Sequence, residues 1–270
     1  MEKKTNDSQV IVITSGKGGV GKTTAVANIS TGLASRDYKV AVIDLDIGLK
    51  KLDLILGLEN RVIYDIVQVA EEECTLKQAL VKDKRFPGLY MLPAAQTRNK
   101  EDLTGEQVKK IADELREDFD FILIDCPAGI EQGFKNAIYA ADKAIVVTNP
   151  EVSAVRDADR IIGILESRDF KNTLLIINRM RLDMVKTGDM LSIDDLLEHL
   201  CIKLLGVVPE DQSVVISTNR GEPVILDSQT AASTAFSNIT ERLLGNEVPL
   251  MNLEAETFWS KFKKFFGNDR

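Results

Sequence analysis

One histidine and three cysteines in 270 residues leave several chemistries short of material. His199 stands between Glu198 and Leu200 in a helical stretch, with no second imidazole and no nucleophile–base constellation, so it reads as a surface or helix-end residue. Cys74, Cys126 and Cys201 are odd in number, far apart and free of paired spacing. That removes the signatures of a disulfide framework and of a zinc site and leaves buried or inert thiols. No uninterrupted run reaches the roughly 18 apolar residues of a membrane-spanning helix, so any membrane contact is expected to be peripheral. Residues 1–9 are polar and carry both charge signs, without the apolar run of a signal peptide, so export is not expected. Positive charge is in deficit as well. Lys and Arg total 34 against 42 Asp and Glu, a net charge of −8 that disfavours nonspecific nucleic-acid binding while leaving room for a local basic patch.

What is present is an ordinary globular composition, 44% hydrophobic and 28% charged, with Pro and Gly spread through the chain and no repeat or low-complexity tract. A chain of this length buries roughly three quarters of its unfolded surface, so one large domain with a substantial core is expected. Short apolar runs at 10–13, 40–43, 89–92, 121–124, 144–147, 174–177 and 204–208 read as strands. Helical periodicity lies between them, from residue 23 to 34 and at 105–117, 130–141, 154–167, 193–200 and 230–244. Continuous apolar strands alternating with amphipathic helices predict an α/β fold, a mostly parallel sheet covered on both faces. Functional residues should then gather at the carboxyl ends of the strands. The acidic triplet Glu71-Glu72-Glu73 reads as a solvated face rather than a metal site.

The first strand ends in Gly16-Lys17-Gly18-Gly19-Val20-Gly21-Lys22-Thr23-Thr24, a full GxxxxGK[ST] match between a strand and a helix. Its glycines let successive amide hydrogens point at phosphates. Lys22 sets positive charge against the terminal phosphate, and Thr23 offers its hydroxyl to magnesium. The helix that begins there adds the field of its amino terminus. Asp44 and Asp46 follow the second strand, and Asp125 follows another. Magnesium-dependent hydrolysis needs carboxylates to hold the ion's water shell and to orient an attacking water. Asp125 is therefore the distal magnesium carboxylate, and either Asp44 or Asp46 is the water-positioning group. If the chain stays extended, residues two apart face the same side. The loop Asp125-Cys126-Pro127-Ala128-Gly129 is placed to sense the terminal phosphate, with Gly129 permitting close backbone approach.

A second lysine at the amino side of the loop, Lys17, resembles the deviant Walker A loop of the MinD/ParA family. Stretches 14–24, 44–49, 92–98, 125–131, 150–160, 209–214 and 220–224, spread over nearly the full chain, are similar to its septum-site determining members. The resemblance implies a P-loop ATPase that forms a sandwich homodimer on ATP, binds the inner face of the cytoplasmic membrane and recruits the division inhibitor MinC. MinE or another topology factor would stimulate hydrolysis and release, and no specific nucleic acid is expected. By the same resemblance Lys17 reaches the partner's phosphates, Lys22 binds phosphate in cis, and Thr23 is a magnesium ligand. Asp46 positions the attacking water, with Asp44 and Asp125 near the magnesium shell. Glu151 and Asp157 fall around the nucleotide-dependent dimer interface, with Glu151 counted among the nucleotide-site residues. Asn178 and the 209–211 loop, with Pro209 and Asp211, hold adenine. Lys50-Lys51 departs from the family's common Arg-Asn pair, which bears on local contacts or partner preference but removes no phosphate-binding group.

The chain closes on an aromatic and basic segment. At about 100° per residue, Phe258, Trp259, Phe262, Phe265 and Phe266 share an arc of roughly 120°, with Lys261, Lys263 and Lys264 outside it. This predicts a short amphipathic helix with an aromatic face for the headgroup boundary and cations for anionic lipid. Too short to be stable alone in water, it should fold on adsorption. The expected organisation is an ATPase domain over 1–246, a tether over 247–257 and a membrane-targeting segment over 258–270. Within the same fold the alternative is a partition or flagellar-number ATPase. An iron–sulfur carrier would need cysteines converging at a dimer interface, and a regulator that binds nucleotide without turnover would be indifferent to Asp46.

Overall fold

A computed structural model of the chain describes residues 8–47, 51–95 and 103–251. Its centre is an eight-stranded sheet in the order β3-β4-β2-β5-β1-β6-β7-β8. The strands are β1 Gln9–Thr14, β2 Val40–Asp44, β3 Val81–Lys82, β4 Leu89–Leu92, β5 Phe121–Asp125, β6 Lys143–Thr148, β7 Thr173–Met180 and β8 Lys203–Pro209. Every neighbouring pair is parallel except β3 with β4. Two-residue β3 was not legible as a strand, because its pairing with Tyr90 and Met91 and not its own pattern defines it.

The helices are α1 Lys22–Ala34, α2 Leu52–Leu56, α3 Ile66–Ala70, α4 Leu76–Ala79, α5 Gly105–Leu115 and α6 Gln132–Ala140. They continue with α7 Val152–Glu166, α8 Leu182–Thr187, α9 Ile193–Leu200, α10 Gln212–Asn219 and α11 Ala231–Leu243. Alternate residues of the central strands feed two cores. Val10 and Val12 of β1, Ile122 and Ile124 of β5, and Ala144 and Val146 of β6 face one layer, packed by α5, α6, α7 and α9. Ile11, Ile13, Phe121, Leu123, Ile145 and Val147 face the other, packed by α1, α2 and α11. A strand apolar at every position is what a sheet covered on both faces requires.

Helix starts follow local chemistry. Thr104 caps α5 by accepting from the amide of Gln107, whose side chain answers the Thr104 amide, and Ser192 with Asp195 does the same for α9. Helix α6 begins at Gln132 rather than at 130, because Gly129 takes φ 90° and Glu131 stays extended. Helix α7 begins two residues earlier than expected, at Val152. Helices α2, α3, α4 and α8 have six residues or fewer, too short for a periodic pattern to be read, and in α10 the apolar residues Val214, Val215 and Ile216 are consecutive rather than spaced along one helical face. No helix among the described residues is long and apolar enough to cross a membrane.

Candidate nucleotide site

The loop between β1 and α1 lies at the carboxyl edge of the sheet, where β1 is flanked by β5 on one side and β6 on the other. Its backbone is held by contacts that only glycine permits. Gly21 caps α1 with φ 101°, and a Cβ there would lie 2.2 Å from Asn178 Nδ2, while one on Gly16 would lie 2.2 Å from the Asp157 carbonyl oxygen. Gly19 also takes positive φ, 81°, but faces open space, as does Gly18 apart from Ala128 at 4.0 Å. The loop is thus pinned from β7 and α7, with room left over Gly18 and Gly19. Val20 is buried, and its carbonyl accepts from Asn178 Nδ2 at 2.7 Å.

Lys22, 8% exposed, donates to Ser15 Oγ at 2.9 Å, and Ser15 Oγ donates to the Lys17 carbonyl at 2.7 Å. Ser15 therefore orients both the lysine and the loop, a role the motif alone did not reveal. Burial lowers the pKa of Lys22, and Asp125, Cys126 and Asp46 pull it back up. Thr23 and Thr24 follow in the first turn of α1, each half-buried.

Parallel pairing of β2 with β5 sets Asp44 directly beside Asp125. Adjacent strands lie about 4.8 Å apart, so two carboxylates in register crowd each other. Burial, and next the neighbouring Asp125, raise Asp44 well above the carboxylate range. Burial pushes Asp125 up to about 7, against the pull of the Thr23 hydroxyl and of Lys22. Strand β2 ends at Asp44, and the Asp46 amide donates to Asp44 Oδ1 at 2.9 Å, an Asx contact that ties the two residues together. The Asp46 carboxylate acts electrostatically on Lys22, Asp44 and Asp125.

The donor set fits a divalent cation. Both carboxylate oxygens of Asp125 are buried without a well-formed hydrogen bond, an arrangement costly unless a cation or ordered water completes it. Among the described residues no group of three or more His, Cys, Asp and Glu is spaced to hold a metal by itself. The fitting ion is therefore one that keeps most of its water and takes ligands from a hydroxyl and from phosphate, as magnesium does. Asp53, buried in the first turn of α2, raises the Asp44 pKa further and lines a small cavity with Asp44, Val62, Met91 and Pro93. Its part in the site was hidden because its proximity to Asp44 comes from the packing of α2. Lys51, exposed just before α2, acts electrostatically on Lys22 and Asp125, whereas Lys50 lies outside the described residues.

Lys17 turns back within its own chain, 3.3 Å from Glu151 Oε2 and 3.1 Å from Ser153 Oγ. With side chains 42% and 53% exposed, that ion pair contributes under about 1 kcal/mol and releases easily. Glu151 precedes α7 without capping it by its side chain, and Asp157 sits on α7 against Gly16. On the other flank Asn178 is 8% exposed at an irregular stretch of β7 where Arg179 takes φ 56°. Pro209 ends β8. The Asp211 carboxylate is engaged by backbone, accepting from Ser213 N at 2.9 Å and Ala232 N at 3.2 Å, so it shapes the loop and docks α11.

Of the cysteines, Cys126 is buried and its thiol is pushed up to about 12 by burial, while Cys201 is exposed at the end of α9. The expectation of inert thiols thus holds for Cys126 by burial, but Cys201 is not a core residue because it terminates α9 with φ 51°. Residues 258–270, with Phe258, Trp259, Lys261, Phe262, Lys263, Lys264, Phe265 and Phe266, lie outside the described residues.

A family model described as an AAA domain matches residues 8–177. The septum site-determining protein MinD of Bacillus subtilis is 53% identical over 263 residues, 96% of this chain and 98% of its own length. A solved MinC:MinD cell division protein complex from Aquifex aeolicus superimposes with TM-score 0.85 at 50% identity, over 90% of this chain and 99% of that one. A Pyrococcus horikoshii MinD complexed with Mg-ADP superimposes with TM-score 0.78 at 29% identity, over 87% and 95%.

Proposed function

Because the chain belongs to the MinD family of septum site-determining P-loop ATPases, we propose that it hydrolyses ATP with magnesium as an ATP-dependent homodimer. In that state it recruits MinC and sits peripherally at the inner face of the cytoplasmic membrane, where it regulates placement of the division septum. Family membership supplies the septum-site role. The observation that carries the chemistry is Asp125, its two oxygens buried without a well-formed hydrogen bond beside Asp44 and Lys22.

Loop amides and Lys22 hold the β- and γ-phosphates, and Lys17, released from Glu151, reaches the phosphates of the partner subunit. Thr23 would hold magnesium through its hydroxyl, and Asp44 and Asp125 through the ion's water shell. Bound there, the ion neutralises phosphate charge. Asp46 orients a water for in-line attack. The water oxygen bonds to the γ-phosphorus, the bond to the β-bridging oxygen breaks, and ADP and phosphate leave. Asn178 and the 209–211 loop hold the nucleobase side. The product of the cycle is location: dimerisation displays two membrane segments of residues 258–270, each weak alone, and hydrolysis separates them. The MinC partner is supported by the complex of the Aquifex aeolicus protein. MinE or another topology factor would set the rate of release.

Cosedimentation with anionic vesicles in ATP, in ADP and without nucleotide tests this reading, repeated after deletion of 258–270 and with Asp46→Asn. ATP-favoured binding, lost on truncation, is expected. Asp46→Asn should bind vesicles with ATP while its turnover falls by at least about 100-fold, a typical loss for a group that positions the reacting water. Binding indifferent to nucleotide and truncation would sink the membrane cycle, and unchanged turnover would remove Asp46 from catalysis.

A further inference from the structure

The stretch after α11, read from sequence as leading into a tether, folds back on the body. Gly245 takes φ 89° and turns the chain, and Met251, half-buried against the core, lines a shallow groove with Ile193, Val207, Ala235, Asn238 and Arg242, while Leu250 beside it stays 49% exposed. Ala235 lies near the amino end of α11, the end that donates to Asp211 of the nucleotide loop. The chain therefore runs back along α11 by about 12 Å, eight residues at 1.5 Å, toward the nucleotide edge of the sheet. Asn246 steadies the turn, donating from Nδ2 to Glu241 Oε2 at 2.6 Å and from its amide to the Glu241 carbonyl at 3.0 Å, and Arg242 fastens the chain beyond it. Arg242 donates from Nε to the Val248 carbonyl at 2.8 Å, from Nη2 to the Pro249 carbonyl at 2.7 Å and from Nη1 to the Leu205 carbonyl at 2.9 Å.

Leu205 is the residue skipped in the β7–β8 register, where Leu175 pairs with Leu204 and Ile176 with Gly206. The guanidinium thus satisfies a carbonyl freed by a bulge in an edge strand and anchors the outgoing chain to it. Gly206 makes room, since a Cβ there would lie 2.4 Å from Ile239 and 3.2 Å from Arg242 Nη1. A rigid planar fork pointing at three backbone carbonyls is a fastening for main chain.

We propose that Arg242 is a positioning residue for membrane attachment: by fastening residues 248 and 249 to β8 it fixes where the membrane segment leaves the body and keeps the chain linking the two short. This rests on the reading of 258–270 as a lipid-binding segment. With the clamp closed, six residues (252–257) separate the anchored chain from that segment; with it open, eleven (247–257) do, because Asn246 keeps its own bonds to Glu241. Effective concentration falls roughly as the −3/2 power of linker length, so this lengthening weakens engagement of the second tail about 2.5-fold.

The test uses full-length protein with ATP and vesicles of phosphatidylethanolamine and phosphatidylglycerol. In Arg242→Ala, proteolytic cleavage within 247–251 should accelerate, ATP-dependent dimerisation should be unchanged, and vesicle affinity should drop about 2.5-fold. A second variant leaves the clamp intact and inserts about five Gly/Ser residues after Met251. It should show the same loss of affinity with native cleavage at 247–251, and it decides the matter alone if Arg242→Ala does not fold. Unaltered cleavage at 247–251 in Arg242→Ala, or vesicle affinity unchanged or increased by the insertion, overturns the proposal. Vesicle binding that survives deletion of 258–270 overturns the membrane reading itself, whatever Arg242 does.

Discussion

Asp44 and Asp125 are neighbours on adjacent strands, and one buried ammonium, Lys22, stands beside them. The folded chain without nucleotide therefore prefers Asp125 protonated up to about pH 7, whereas an unfolded Asp ionises near pH 4. Between those values the folded state binds more protons than the unfolded one, so stability falls as pH rises from about 4 to about 7 and levels off above. Asp44, raised in the same direction, adds to that slope. Urea melts of the nucleotide-free protein across pH 4.5 to 8 should show this decline, and Asp125→Asn should flatten it. A slope of opposite sign in the native protein would mean that Asp125 stays ionised and paired in solution.

Among the elements, β8 and α11 show how closely an edge is built. Gly206 lets α11 approach the strand, and α11 carries Phe236 and Ile239 into the core beneath it. Replacing Gly206 with Ala overfills that contact against Ile239, and overpacking of this kind costs about 1 to 3 kcal/mol. A fall in urea midpoint with unchanged slope is the expected outcome. An unaffected midpoint would show that α11 shifts without resistance.

For the whole molecule, the lone chain stores Lys17 on Glu151 and Ser153, on the surface that flanks the phosphate loop. So exposed a pair contributes little to folding, and Lys17→Ala should change stability by under about 1 kcal/mol. On the proposed function its effect belongs to assembly: light scattering with ATP should find Lys17→Ala monomeric and the native protein dimeric, while ATP still binds the variant through Lys22. A normal ATP dimer in this variant would remove Lys17 from the interface.

The chain's own order of residues determined the α/β class, the parallel strands and the phosphate loop, because apolar runs of both-faced burial and a complete glycine–lysine motif are local signals. It also placed Asp44, Asp46 and Asp125 at strand ends. Tertiary structure decided what those groups experience: the Asp44–Asp125 register, the approach of Asp53, and the Ser15 bridge to Lys22. It likewise decided that 248–251 is anchored by Arg242 and that Cys201 is exposed. The division has a physical cause. Periodicity and motif spacing report on neighbours along the chain, whereas ionisation, short elements and carbonyl clamps depend on groups brought together from strands and helices far apart in sequence.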